Sequence, residues 1–230
     1  MLFYCAKIEN GFAYLDEEES RHLLTVLRRK VGDTFQLTDG QGFFYETEIT
    51  EVGKRHAIAR IISKIPAPLE RAANLHIAIA PTKHIERIEW FLEKAVEIGV
   101  GEITPLLCQR SERNTIRLDR LEKVMLSAMK QSLRARFPKL NELTRFQKFA
   151  IATTETQKRI AWCSAEQLPH LKTTISSQES TVIAIGPEGD FSPEEIDLAL
   201  HNGFTGVSLG TARLRTETAG ILAVSVFNLF

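Results

Sequence analysis

No run of eighteen consecutive apolar residues occurs in the 230-residue chain, so nothing in it reads as a membrane span. Cysteine is scarce. Cys5, Cys108 and Cys163 stand far apart, with no Cys-x-x-Cys and no histidine at ligand spacing. That argues against a disulfide framework and against a zinc or other metal centre, and makes a reducing cytoplasm the expected compartment. The three thiols read as structural filler. The opening residues Met1-Leu-Phe-Tyr-Cys5 lack a positive segment and a small-residue cleavage site, which argues against a secretory signal. Net charge is also missing, because 29 Lys and Arg balance 29 Asp and Glu. Gly-x-x-x-x-Gly-Lys-Ser/Thr is absent, and no Gly-x-Gly-x-x-Gly follows a strand, so the usual nucleotide-phosphate cradles are not encoded.

Charge is present locally even though it cancels overall. From Arg110 to Lys148 there are eleven Lys/Arg against four Asp/Glu, whereas Glu155 to Asp197 is predominantly acidic. Such a stretch is either a solvated helix surface or a polyanion-binding face on a neutral protein.

The first third reads as β-rich. Strands are expected at Leu2–Ile8, Phe12–Tyr14, Thr34–Thr38 (before the Asp39-Gly40 turn), Phe43–Thr50 and His56–Ile62. One helix interrupts them, over Glu17–Arg28, with Leu23, Leu24 and Leu27 on its buried stripe. A five- or six-strand barrel with one helix is the natural packing. Ile65-Pro-Ala-Pro-Leu69 follows as the linker, on the reasoning that prolines exclude it from sheet or helix.

Beyond the linker, strands alternate with helices: a strand at Asn74–Ala80, a helix at His84–Ile98 stopped by Gly99, a strand at Glu102–Leu107, and a long helix at Leu118–Arg136 ended by Pro138. A strand near Arg159–Trp162 and two terminal strand–loop–helix units complete an α/β layer with a mostly parallel sheet. Ser192-Pro-Glu-Glu195 is a helix start with Ser as N-cap, Pro at the first position and Glu at the third, which by itself accounts for Glu194 and Glu195. The last helix, Glu217–Phe230, is apolar nearly all round yet too short to cross a bilayer. It must be covered on both sides, which predicts a homodimer.

Both terminal units have a glycine-centred loop at the exit of a β-branched strand, the place where α/β sheets bind ligands. The first loop carries Glu188, Asp190, Glu194 and Glu195 and so disfavours a free polyanion. Ile185-Gly-Pro-Glu-Gly-Asp-Phe-Ser-Pro-Glu-Glu-Ile196 and Leu209-Gly-Thr-Ala-Arg-Leu-Arg-Thr-Glu-Thr-Ala219 resemble the signature loops of the ribosomal small subunit methyltransferase E family. This family belongs to the SPOUT class of S-adenosylmethionine-dependent RNA methyltransferases. His22-Leu-Leu-Thr-Val-Leu-Arg-Arg-Lys-Val-Gly-Asp33, Lys94-Ala-Val-Glu-Ile-Gly-Val100, Pro105 to Ser111 and Gln131-Ser-Leu-Arg134 are similar to further family motifs in the same order. The resemblance covers nearly the whole chain. Asp190 stands where the family usually has a second glycine, and Arg213 where it has a longer aliphatic residue.

The resemblance implies a PUA-like RNA-binding barrel over residues 1–69. Residues 70–230 would form a SPOUT domain, trefoil-knotted with a mostly parallel sheet, that carries the cofactor site and the dimer interface. The knot comes from the resemblance alone, since ordinary topology excludes threaded chains. The implied activity is methylation of N3 of a uridine in small-subunit (16S) ribosomal RNA, free or in an assembled ribosomal particle. The implied S-adenosyl-L-methionine site comprises Ile185, Gly186, Pro187, Glu188, Gly189, Leu209, Gly210, Leu214, Arg215, Thr216, Thr218 and Ala219, with Leu209 and Leu214 walling the adenine. Such a cofactor has a sulfonium, ribose hydroxyls and no phosphate, which suits the acidic loop. Uridine N3 must lose a proton, so Arg215 is the expected donor to the developing oxyanion. Glu217 or Glu188 is then a candidate base, although Glu217 also reads as a first-turn helix acid and Glu188 as a ribose ligand. Arg28, Arg29, Arg110, Arg113, Arg134 and Arg136 are the candidate RNA contacts, with a helix-end dipole role open for the last two. Competing readings are a SPOUT enzyme acting on another RNA or base, an inactive RNA-binding module, and a nucleotide-dependent α/β enzyme.

Overall fold

The computed structural model describes residues 1–163, 167–176 and 178–229. Its contacts divide the chain into two units, Met1–Leu69 with Leu126–Phe137, and Glu70–Met125 with Pro138–Phe230. A single boundary after residue 69 does not anticipate that Leu126–Phe137 groups with the first unit.

The first unit holds a six-stranded sheet of β1 (Leu2–Tyr4), β2 (Ile8–Glu9), β3 (Phe12–Leu15), β4 (Thr34–Thr38), β5 (Phe43–Val52) and β6 (Ala57–Pro66), in the order β1-β4-β5-β6-β3-β2. Only the β1–β4 pair is parallel. Alternation along β5 sends Tyr45, Thr47 and Ile49 into the core, where they meet Phe3, Leu15, Leu23 and Leu37. The expected strand over Leu2–Ile8 is two short strands, β1 and β2. Ile65 and Pro66, expected in the linker, instead pair with Phe44 and Phe43 at the end of β6. At that end β3 has already stopped, so no partner needs the N–H that proline lacks.

Helix α1 (Glu17–Arg21) starts where Asp16 accepts the Glu19 amide at 2.8 Å. It does not run on to Arg28 as a regular helix. His22–Val26 is a π-helical turn, closed by Leu27 N–H to the His22 carbonyl at 3.0 Å. Arg28, at φ 56°, ends the turn. Lys130, within Leu126–Phe137, donates to the buried carboxylate of Glu19.

The second unit holds β7 (Leu75–Ile79), β8 (Glu102–Leu107), β9 (Lys139–Leu140), β10 (Thr144–Arg145), β11 (Gln157–Ala161), β12 (Thr181–Ile185) and β13 (Thr205–Val207). The order is β10-β8-β7-β12-β11-β13, with β9 beside β8, and every pairing among the described residues is parallel. Strands β7 and β12 are buried at every position, as interior parallel strands require. Helices α2 (Ile85–Ile98), α4 (Phe146–Ala152), α5 (Pro193–His201) and α6 (Thr216–Leu229) belong to this unit, and α3 (Leu118–Gln131) begins in it.

One further helix expectation changes, and one helix was not anticipated. The α3 helix stops at Gln131 and not at Arg136, because Leu133 turns left-handed at φ 57° while Arg134 N–H reaches back to the Met129 carbonyl at 3.0 Å. Arg134 and Arg136 therefore lie beyond the helix, and Arg136 pairs in a β-bridge with Gln41. Helix α4 was not legible in the sequence; it is held by Phe146, Phe149 and Ala150, all buried. In α6, Ala223, Val224 and Phe227 are fully buried and Leu229 is exposed, whereas Phe230 lies outside the described residues.

Candidate functional site at the carboxyl edge of the parallel sheet

Because the strands run parallel, their exits gather at one edge of the sheet. Ala80–His84 follow β7, Cys108–Arg113 follow β8, Trp162 and Cys163 follow β11, Gly186–Ser192 follow β12, and Ser208–Arg215 follow β13. A mesh of backbone-directed bonds joins the first two of these loops to the one after β12. Lys83 N–H donates to Glu188 Oε1 at 2.9 Å. Arg113 donates from Nε to the Thr82 carbonyl at 3.0 Å and from Nη2 to that of Lys83 at 2.6 Å. Arg110 Nη1 donates to the carbonyls of Gly189 at 2.9 Å and Phe191 at 3.3 Å.

Asp190 sits at φ 64°, the left-handed region that aspartate reaches more easily than most residues. Its carboxylate accepts from Phe191 N–H and Cys163 N–H, both at 2.8 Å, so the side chain fixes the turn and ties it to the exit of β11. Beyond it the capping box forms as the sequence indicates. Glu195 N–H meets Ser192 Oγ at 3.2 Å and Ser192 N–H meets Glu195 Oε2 at 3.0 Å, while Glu195 Oε1 takes the Gln109 N–H at 2.8 Å.

The second glycine loop meets the first through Thr216, whose buried Oγ1 donates to the Gly186 carbonyl at 3.1 Å. Gly210 takes φ 122°, closed to side-chain-bearing residues, and its N–H meets Ser208 Oγ at 3.1 Å. Leu209, Leu214 and Ala219 are half-buried, Ile185, Gly186 and Pro187 are buried, and Gly189, Gly210 and Thr218 are exposed. Arg215 precedes α6 and contributes its carbonyl to Ala219 N–H at 2.8 Å. Its side chain is exposed, and its guanidinium has no partner among the described residues.

Glu217 is the chemically unsettled group. It is 7 % exposed, its Oε1 lies 3.9 Å from Arg87 Nε, and its Oε2 has no hydrogen-bond partner among the described residues. An orphaned carboxylate oxygen in a buried setting costs on the order of 1–3 kcal/mol unless something donates to it. Cys108 is excluded as a nucleophile at this edge, because burial and then the nearby Glu195 push its thiol well above the ordinary range.

Of the six arginines marked as RNA contacts, Arg28, Arg29, Arg134 and Arg136 fall in the first unit and Arg110 and Arg113 in the second. The latter two use their guanidinium groups to hold loop carbonyls. Sequence reasoning missed Thr82, Lys83 and Arg87. The available signal was Pro81-Thr82-Lys83 at the exit of an apolar strand, the same feature that marked the two glycine loops.

A family profile described as RNA methyltransferase domain matches residues 69–228, and another described as RNA methyltransferase PUA domain matches residues 15–62. The structure of a probable rRNA-methyltransferase from Porphyromonas gingivalis is similar at 40% identity and TM-score 0.91, over 97% of this chain and 94% of that one. A ribosomal RNA small subunit methyltransferase E from Neisseria gonorrhoeae, bound to S-adenosyl methionine, is similar at 27% identity and TM-score 0.85, over 99% and 96%. The enzyme of the same description from Mesomycoplasma hyopneumoniae is 31% identical over 172 residues, 73% of this chain and 74% of its own length. The fold is accordingly a PUA-like domain followed by a SPOUT domain with a parallel sheet. The chain belongs to the ribosomal RNA small subunit methyltransferase E family.

Proposed function

We propose that the protein transfers a methyl group from S-adenosylmethionine to N3 of a uridine in small-subunit ribosomal RNA. The observation that carries this reading is the carboxyl edge itself: two glycine loops without phosphate-binding chemistry, joined by the Thr216–Gly186 bond beside the orphaned oxygen of Glu217. A phosphate-free cationic cofactor fits these residues, and the similar Neisseria gonorrhoeae enzyme was crystallised with S-adenosyl methionine. Backbone at Ile185, Gly186, Pro187, Leu209 and Gly210 would hold adenine and ribose, with Leu209 and Leu214 as walls and Thr216, Thr218 and Ala219 lining the helix side. Glu188, which takes the Lys83 amide through one oxygen, has the other available for a ribose hydroxyl. When bound, the cofactor supplies a methyl group on a sulfonium centre that leaves as a neutral thioether.

The remaining chemistry falls to the chain. The N3–H bond of uridine must break before N3 can attack, and the negative charge spreads onto the adjoining carbonyl oxygens. Arg215, exposed and uncommitted, donates to one of those oxygens and favours the charged transition state. Glu217 Oε2, with no donor among the described residues, accepts the proton. Arg28, Arg29, Arg134 and Arg136 contact the RNA, and the N–H groups of Arg110 and Arg113 left free by the loop carbonyls add to them. A second copy covers the half-buried Ile221 and Leu222 of α6, giving a homodimer, and the chain segment after β13 threads the domain as a trefoil knot.

Calorimetry tests the cofactor assignment. S-adenosylmethionine and its demethylated product should bind with micromolar affinity, with ATP and NAD failing to compete. The absence of heat with both ligands would refute the assignment.

A further inference from the structure

The first unit contains a cavity of about 300 Å³ that the transfer chemistry does not use. It is lined by Met1, Phe3, Leu27, Arg29 and Phe35, the two phenylalanine rings packing edge-to-face with centroids 5.2 Å apart. Gln36 and Glu46, opposite each other on β4 and β5, complete the lining. The size is at the lower end for a small-ligand site.

The polar wall has a defined sense. Gln36 Nε2 donates to Glu46 Oε1 at 3.1 Å, and since a carboxylate only accepts, the amide orientation is settled. Gln36 Oε1 and Glu46 Oε2 are then left as acceptors, and Arg29, whose guanidinium has no partner among the described residues, lines the same cavity. The backbone that brings Leu27 and Arg29 here is strained. It leaves a π-helical turn through Leu27, passes the left-handed Arg28, and is pinned by Arg29 N–H to the Leu23 carbonyl at 3.1 Å. Such turns and left-handed residues are held by the structure around them and cluster at functional sites.

Resting on the reading that the protein binds RNA, we propose that this cavity receives one unpaired guanine base. Apolar and aromatic side chains take the ring, Glu46 Oε2 accepts from guanine N1–H, Gln36 Oε1 accepts from the N2 amino group, and Arg29 donates to O6. Adenine and cytosine offer no pair of adjacent donors with a flanking acceptor. Uracil offers one donor where guanine offers two. Unpaired bases read on their Watson–Crick edge are the usual route to sequence-specific RNA recognition.

The test uses the full chain and four 5′-fluorescein RNA hexamers, UUUXUU with X as G, A, C or U, titrated by fluorescence anisotropy at one fixed salt concentration. The G hexamer should bind roughly tenfold more tightly, the scale of one good bidentate base contact. Inosine, which lacks the N2 amino group, should lose much of that preference without any change to the protein. Glu46→Gln should abolish the preference by weakening the G hexamer most, while leaving S-adenosylmethionine affinity unchanged. Equal affinity for all four hexamers, or an unaltered preference with inosine, would overturn the proposal. If the same preparation still methylates ribosomal RNA, only the base pocket falls; if it neither binds RNA nor transfers methyl groups, the functional reading falls with it.

Discussion

Gly220 offers a prediction in which two effects oppose each other and the structure decides the winner. Glycine in the middle of α6 is unfavourable by about 1 kcal/mol relative to alanine, so propensity alone says that Gly220→Ala stabilises. A Cβ at that position would lie 2.6 Å from Phe91 Cε2 and 2.9 Å from Ile79 Cδ1, closer than such atoms approach. Phe91 is 0 % exposed and Ile79 1 %, so neither can swing into solvent. Overpacking a full core costs about 1–3 kcal/mol. The balance is a net loss of roughly 1 kcal/mol, which in a protein of this size lowers Tm by ~2–4 °C. Gly220→Val adds two more methyl groups and recovers less propensity, so its Tm should fall at least twice as far. The first turn of α6 carries Thr216 and Glu217, so cofactor affinity should fall with the packing. Thr218→Ala, on the exposed side, is the control and should stay within about 0.5 kcal/mol of wild type. Differential scanning calorimetry on the four proteins decides the matter. A Gly220→Ala variant that melts higher than wild type would show that the α2–α6 contact is not closely packed, and the reasoning would fail.

Arg215→Ala should leave Tm and S-adenosylmethionine affinity within error and lower methyl transfer by ~100-fold or more, with lysine rescuing only in part; normal turnover would remove Arg215 from the chemistry. Arg28→Glu with Arg134→Glu should weaken RNA binding and flatten its salt dependence in a filter-binding series, while an unchanged slope would return both residues to the solvated surface. Phe227→Asp places a charge at a position of α6 fully buried within the protomer and should give misfolded, aggregating protein by light scattering; a soluble active protein would contradict the account. Glu155 should contribute acid-sensitive stability. Burial opposes its ionisation, but the hydrogen bond from buried His76 outweighs that and holds the carboxyl below the ordinary range. A lowered folded-state pKa means the contribution is complete above the ordinary carboxylate range and is lost as pH falls through the folded-state value. Urea melts from pH 7 to pH 3 should show a shallower acid decline in Glu155→Gln, and an identical decline would exclude the group.

What the sequence conveyed followed the periodicity of its residues. The alternation in Tyr45-Glu46-Thr47-Glu48-Ile49 and the unbroken burial of Val182–Ile185 both come from local pattern, and both appear as strands. The Ser192–Glu195 capping box was legible because all its parts lie within four residues. The features that escaped depend on distant partners. Pro66 stays in a strand because β3 ends early; α3 stops at a left-handed leucine where sequence rules wait for glycine; the π-helical turn has no composition cue. At the site, the glycine loops announced themselves. The engagement of Arg110 and Arg113 by loop carbonyls, and the orphaned oxygen of Glu217, arise only when five strand exits meet at one edge.

The central claim is the transfer of a methyl group to N3 of a uridine in small-subunit ribosomal RNA. Its most direct test is to incubate the purified protein with methyl-labelled S-adenosylmethionine and small ribosomal subunits from cells lacking the enzyme. The RNA is then digested to nucleosides and the label is located by chromatography and mass spectrometry. The account predicts label in 3-methyluridine from a single site, reduced ~100-fold or more with Arg215→Ala. Label in any other nucleoside, or none in a preparation that binds the cofactor, would contradict it.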